Sequence, residues 1–283
     1  QRTVSVMYCN FYGFEERPFE MTANPKYLYL NRISTQVLTN LLYGVQSRRG
    51  IMLIIGETGT GKTTILNALK DRLNTDAKVA FIFNTEISFK QLLNLVLEEL
   101  GIKILKKMTV AETLKRLSEF AVEQSTCGSN VVLIIDEAQN LSKTELESLR
   151  LLSNIETRQS KLIQILLCGQ PRLDYKLNRP ELEQLIQRIS IKCYIGKLNE
   201  SDTYDYIEHR LLIAGYKGPK IFDQDALKLI WKSSEGVPLR INMLCDNSLM
   251  IGYAVEKSKI DEGIVNEVIR NLTYNPLRYM KQQ

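Results

Sequence analysis

Gly56-Glu57-Thr58-Gly59-Thr60-Gly61-Lys62-Thr63-Thr64 follows the apolar run Ile51–Ile55 and opens a stretch, 63–73, whose Ile65, Leu66, Leu69 and Leu73 recur at helical spacing. The first eight residues fit G-x-x-x-x-G-K-[ST] in the strand-then-helix context that gives this pattern its meaning. Glycines let successive backbone amides turn toward a phosphate, and the helix N-terminus adds positive potential. Lys62 is placed to reach the outer phosphates, and the Thr63 hydroxyl to ligate Mg2+. Gly56 through Thr64 is therefore the candidate nucleotide-binding segment. A loop of this kind selects phosphate rather than base, and the guanine-reading N/T-K-x-D pattern is absent.

A second motif supplies the acids. Val131-Val-Leu-Ile-Ile-Asp136-Glu137 is an apolar run closing in two carboxylates, which places Asp136 at the C-terminal tip of a buried strand, where α/β sheets bind ligands. Asp136 is the candidate second holder of Mg2+, through water. Glu137 is the candidate general base or water orienter, the residue that separates a hydrolysing ATPase from a plain binder or scaffold.

Outward from these motifs, short β-branched runs alternate with amphipathic stretches, the pattern of a parallel sheet with crossover helices. Five strands are predicted, over 51–55, 79–83, 131–135, 162–168 and 189–195. Ser88 with Gln91, Thr109 with Glu112 and Ser142 with Glu145 fit the S/T-x-x-E/Q capping pattern that marks helix starts. After about Lys197 the β pattern stops, and 202–214, 224–234, 238–256 and 261–272 read as helices of an all-α module. The predicted architecture is α/β: a P-loop domain with a five-stranded parallel sheet over 51–197, a helical lid over 198–283, and an N-terminal segment, 1–50, packed on the core.

Composition excludes several alternatives. The chain has 283 residues with 44% hydrophobic and 24% charged side chains, enough for a substantial core and unlike a disordered tail. A net charge of +5 is a mild basic bias, not that of a histone-like binder. The five cysteines form no C-x-x-C pair and read as reduced core thiols, and one histidine cannot make a metal site. No apolar run approaches the roughly 18 residues needed to cross a bilayer. Residues 1–6 lack a leader pattern, and Met7 is the expected start.

The chain resembles AAA+ ATPases, and more narrowly the ExeA/GspA (general secretion pathway protein A) and MshM-like group, related to TnsC/MuB-type transposition ATPases. The likeness rests on Met7-Tyr8, Phe11-Tyr12-Gly13-Phe14, Pro18-Phe19, Asn24-Pro25 and Tyr27–Leu30, on the phosphate loop, and on Asp136-Glu137-Ala138-Gln139. It continues through Cys168-Gly169-Gln170-Pro171, Gln187-Arg188-Ile189 and Gly236–Cys245, and so runs from about Met7 to Leu272. The resemblance implies a sensor at Gln170 that hydrogen-bonds the γ-phosphate or attacking water. It implies a second sensor at Arg240 on a lid helix, and an arginine finger at Arg188, with Arg172 and Arg179 as alternatives, supplied by a neighbouring copy in a homo-oligomer. It also suggests that Asn84 restrains Glu137. Phe11, Tyr12, Phe14, Phe19, Tyr27 and Tyr29 are expected to pack on the sheet and frame the adenine pocket. The function implied is Mg·ATP-driven assistance to assembly of a secretion or pilus machine, at the cytoplasmic face of the bacterial inner membrane and through a membrane partner there. The alternative is a DNA-binding transposition regulator, for which Arg48-Arg49 and Lys103 with Lys106-Lys107 are the small basic clusters.

Overall fold

A computed structural model describes residues 8–73, 77–83, 86–104 and 108–273, which divide into two compact units. Residues 32–58 and 62–196 form the first. Its five strands, β1 (Ile51–Gly56), β2 (Ala77–Ile82), β3 (Asn130–Ile135), β4 (Ile163–Gly169) and β5 (Ile189–Ile195), make one parallel sheet in the order β2-β3-β4-β1-β5. The predicted strands are all present, with no end moved by more than two residues. Seven helices accompany them: α1 (Arg32–Gln46), α2 (Lys62–Leu73), α3 (Phe89–Glu99), α4 (Val110–Thr126), α5 (Lys143–Ser153), α6 (Pro171–Leu177) and α7 (Glu183–Ile186).

Local chemistry explains the boundaries. All three predicted capping boxes form at the starts of α3, α4 and α5, each with the side-chain oxygen accepting from the N3 amide and the N3 side chain returning to the cap. β1 and β4 are buried along their whole length, as central parallel strands must be. Gln164 on β4 is tolerated there because its carboxamide accepts from the Gly50 amide at 2.8 Å and donates to the Lys161 carbonyl at 3.0 Å. β5, at the edge, alternates in exposure, and its pairing with β1 slips by one residue beside Ser190.

The second unit gathers the described residues up to Asn31, Gly59–Gly61, and those from Lys197 on. Its helices are α8 (Glu200–Ile213), α9 (Gln224–Ser234), α10 (Pro238–Ala254) and α11 (Glu262–Thr273), the all-α region expected from the sequence. The N-terminal aromatics were expected on the sheet; they lie in this helical unit instead. Tyr8, Tyr12, Phe14 and Phe19 share a core with Tyr206, Phe222, Ile241 and Leu249. Polar anchors account for the choice. The Tyr8 hydroxyl donates to Asp246 at 2.7 Å, and Arg17 pairs with the same carboxylate at 2.6 Å. Arg210, buried on α8, donates to the carbonyls of Pro18 at 2.6 Å and Glu20 at 3.2 Å, and to the Tyr206 hydroxyl at 2.9 Å, with the Tyr27 ring 4.5 Å from its guanidinium carbon.

Four cysteines are buried as expected, but Cys127, at the C-cap of α4, is exposed; all five are free thiols. Among the described residues no helix is long and apolar enough to cross a membrane.

Candidate active site

Sheet order creates the site. β4 lies between β1 and β3, so the loop leaving β1 and the acids leaving β3 meet across the end of β4, two strand spacings or about 10 Å apart. Register aligns the three ends: Ile55 pairs with Gly169 and Ile135 with Leu167. Gly56, Asp136 and Gln170, each at or just past its strand's last paired residue, therefore lie along one rim.

The phosphate loop turns through Gly59 (φ +80°) and Gly61 (φ +93°), backbone that L side chains rarely adopt. Lys62 opens α2 and is only 5% exposed; its ammonium donates to the carbonyls of Gly56 at 3.0 Å and Glu57 at 2.9 Å. Among the described residues it forms no ion pair. Thr63 donates its hydroxyl to Asp136 Oδ2 at 2.7 Å, while Asp136 Oδ1 accepts from the Glu137 amide at 2.9 Å. Burial pushes the Cys168 thiol well above the ordinary thiol range, and the charge of Asp136 reinforces the shift. The neutral thiol donates to that carboxylate from the penultimate position of β4.

Glu137 sits in the left-handed region (φ 51°, ψ 36°), at the N-cap of a single 3-10 turn, Ala138–Asn140. Two carboxamides donate to its Oε2, Gln139 at very short range and Gln170 at 3.3 Å. The Gln139 carbonyl oxygen in turn accepts from the Gln170 backbone amide at 3.0 Å. Lys176 on α6 fastens the turn from behind, donating to the carbonyls of Gln139 and Leu141, each at 2.7 Å.

A family model for an AAA domain matches residues 45–177, from the end of α1 to the end of α6. Over 260 residues, 92% of this chain, the sequence is 36% identical to General secretion pathway protein A of Aeromonas hydrophila, of which it spans 47%. Among solved structures, the ORC2 protein of Aeropyrum pernix with ADPNP and ADP superposes with a TM-score of 0.69 at 19% identity, covering 89% of this chain and 71% of that one. RuvB, the Holliday junction branch migration motor of Thermotoga maritima, gives 0.58 at 17% identity over 86% of this chain and 69% of its own. Residues 45–177 match an AAA domain, and the fold is that of AAA+ proteins. The expected likeness to general secretion pathway protein A is found, and the chain spans less than half the length of the curated relatives it matches.

Within this fold the rim brings together Lys62, Thr63, Asp136, Glu137 and Gln170, but not Arg188. Arg188 immediately precedes β5, whose first residue pairs with Ile51 and whose last pairs with Gly56. It therefore stands at the far end of the sheet, about 20 Å along β1 from the phosphate loop. Its guanidinium donates to Asn154 Oδ1 at 2.6 Å and Ser153 Oγ at 3.2 Å, both neutral. Arg172 lies at the rim end, exposed, 3.3 Å from Asn140 Oδ1, and Arg179 is exposed beyond α6. Arg240, in the first turn of α10 in the helical unit, is exposed and pairs with Glu235 at 3.4 Å. Asn84 lies outside the described residues.

Thr63 and Asp136 offer one hydroxyl and one carboxylate, hard oxygens already in mutual contact. That set fits Mg2+, which is typically held by one or two protein oxygens plus phosphates and water. Among the described residues no group of three or more His, Cys, Asp or Glu could cage a metal. The DNA alternative gains little from Arg48 and Arg49. Arg48 is tied to Ser125 Oγ at 2.9 Å and the Ser129 carbonyl at 3.1 Å, and Arg49 to the Tyr43 hydroxyl at 2.9 Å. Lys106 and Lys107 are outside the described residues.

Sequence reasoning assigned no role to Gln139, Gly169, Cys168 or Lys176. Gln139 was within reach, two residues after Glu137 in a quoted motif. Lys176 carries no local signal, because its partners lie 35 and 37 positions away.

Proposed function

We propose that the chain binds Mg·ATP at Gly56–Thr64 and hydrolyses it. Lys62 would hold the outer phosphates, Thr63 and Asp136 would hold the magnesium, and Glu137 would orient and deprotonate water beside Gln170. The observation that carries this reading is the buried Lys62 ammonium. Loop carbonyls are its only hydrogen-bond partners among the described residues, so it sits in a place that suits an anion. When bound, the metal would neutralise charge developing on the transferred phosphoryl group.

Arg188 is too far from its own phosphate loop to serve there, so as a finger it acts on a neighbouring copy, and turnover requires assembly. Arg240 would report nucleotide state to the helical unit. Likeness to a protein named for general secretion supports a role in assembling a secretion or pilus machine, on the cytoplasmic side of the bacterial inner membrane with a membrane partner.

Glu137→Gln tests the chemistry. ATP affinity should stay within about threefold while turnover falls by about 100-fold or more. Arg188→Ala protein should bind ATP normally yet turn over slowly, and mixing it with Glu137→Gln protein should restore activity at hybrid interfaces. Wild-type turnover in Glu137→Gln would refute the base assignment, and absence of rescue would refute the finger.

A further inference from the structure

We infer that Gln139 is the positioning residue of Glu137, the group that sets the direction of its carboxylate. The inference rests on the hydrolytic reading of Glu137 and adds a residue to it. Gln139 is 3% exposed, and both ends of its carboxamide are committed: Nε2 to Glu137 Oε2 and Oε1 to the Gln170 amide. The orientation is forced, since a backbone N–H only donates and must face the oxygen, leaving the NH2 group for the carboxylate. No other uncharged side chain of this length offers a donor on one side and an acceptor on the other. Glutamate would set two carboxylates together, and methionine would leave the Gln170 amide and the carboxylate without this partner.

Two further features show that the surroundings accommodate this carboxamide. Gly169 leaves space for it, because a Cβ there would lie 2.7 Å from Gln139 Oε1. Lys176 pins the Gln139 carbonyl, so the side chain is held at its base as well as its tip. The Glu137 backbone is in the left-handed region with its amide donating to Asp136 Oδ1, and its carboxylate accepts from both Gln139 and Gln170. Gln139 thus links the second acid of β3 to the end of β4, and a change at either end reaches the carboxylate through one rigid amide.

The test compares the 283-residue protein with Gln139→Met, Glu137→Gln and the double variant, reading ATP affinity with a fluorescent ATP analogue and kcat and KM for ATP hydrolysis. Gln139→Met should lower kcat about ten- to a hundredfold, the scale of a misdirected catalytic group, with KM and affinity within about threefold. In the Glu137→Gln background the same substitution should change residual turnover less than about twofold, because its effect passes through Glu137. An unchanged kcat in Gln139→Met beside an inactive Glu137→Gln overturns the inference and spares the hydrolytic reading. An equal further loss in both backgrounds shows a general structural role and also overturns it. Wild-type turnover in Glu137→Gln overturns the reading and the inference together. Gly169→Ala, which displaces the carboxamide without replacing it, should reproduce the kcat loss and serves where Gln139→Met folds poorly.

Discussion

Replacing Gly169 by alanine places a methyl group 2.7 Å from Gln139 Oε1, 2.7 Å from Leu173 Cδ2 and 3.2 Å from Leu173 Cβ. Leu173 is fully buried, and its Cβ moves only with the α6 backbone. The strain is therefore shared between the start of α6 and the Gln139 carboxamide. Overpacking of this kind costs about 1–3 kcal/mol. At a urea slope of roughly 2 kcal/mol per M, the midpoint for the sheet unit should fall by about 0.5–1.5 M. Tryptophan fluorescence would miss this, because the single Trp231 is in α9 of the helical unit; far-ultraviolet circular dichroism or pulse proteolysis reads the sheet unit. Gly196→Ala is the matched control. Nothing lies within 4 Å of a Cβ there, so alanine should be neutral or stabilise by about 0.4–1 kcal/mol through the unfolded chain. Equal midpoints for wild type and Gly169→Ala would refute the close approach and the argument built on it.

Two further predictions concern the helical unit. Arg210→Met keeps apolar bulk but removes the donor to the Pro18 carbonyl and one of two partners from the Glu20 carbonyl and the Tyr206 hydroxyl, both of which keep Asn242, so stability should drop by about 1–3 kcal/mol and limited proteolysis near Arg17 and Lys26 should accelerate; unchanged cleavage would show that the segment is fastened elsewhere. Burial, with the Arg210 cation beside it, holds the His209 imidazole below its ordinary value of 6.5, against an opposing backbone hydrogen bond with Leu28. The unfolded chain therefore takes up this proton first as pH falls, and the contribution, complete above about pH 6.5, is lost as pH falls toward and through the lowered folded-state pKa. His209→Gln should show a smaller loss of stability between pH 7.5 and 5.0 than wild type, and identical losses would count against the burial argument.

Elements with local causes were legible in the sequence. Serine or threonine followed three residues later by glutamate or glutamine marked three helix starts, and each box is formed in the structure. Strand runs showed because β1 and β4 are buried on both faces and are apolar apart from the hydrogen-bonded Gln164. The aromatics before Asn31 were misassigned because aromatic content records that a side chain will be buried, not against what. The deciding contacts, Tyr8 with Asp246 and Arg210 with Pro18, span 238 and 192 positions. Cys127 shows the same limit, since a small apolar thiol at a helix end looks identical to one inside a strand.

Sheet order is the larger gap between sequence and site. A pattern of alternating strands and helices predicts parallel pairing but leaves open which strand lies between which, and the chemistry here depends on β4 separating β1 from β3. That arrangement holds Thr63 and Asp136 at hydrogen-bond distance across the end of an intervening strand. β4 ends in glycine where a Cβ would lie 2.7 Å from Gln139 Oε1 and 2.7 Å from Leu173 Cδ2. The strand order also explains how Gln170, just past β4, joins Gln139 in holding the Glu137 carboxylate. In the proposed reading the loop after β1 would contact phosphate, the end of β3 provides the acids, and Gln139 after β3 with Gln170 after β4 provides the amides on Glu137. A rearrangement of β4 against its neighbours would therefore alter turnover before it altered nucleotide affinity, which separates the Gln139 and Gly169 substitutions from any change in the phosphate loop.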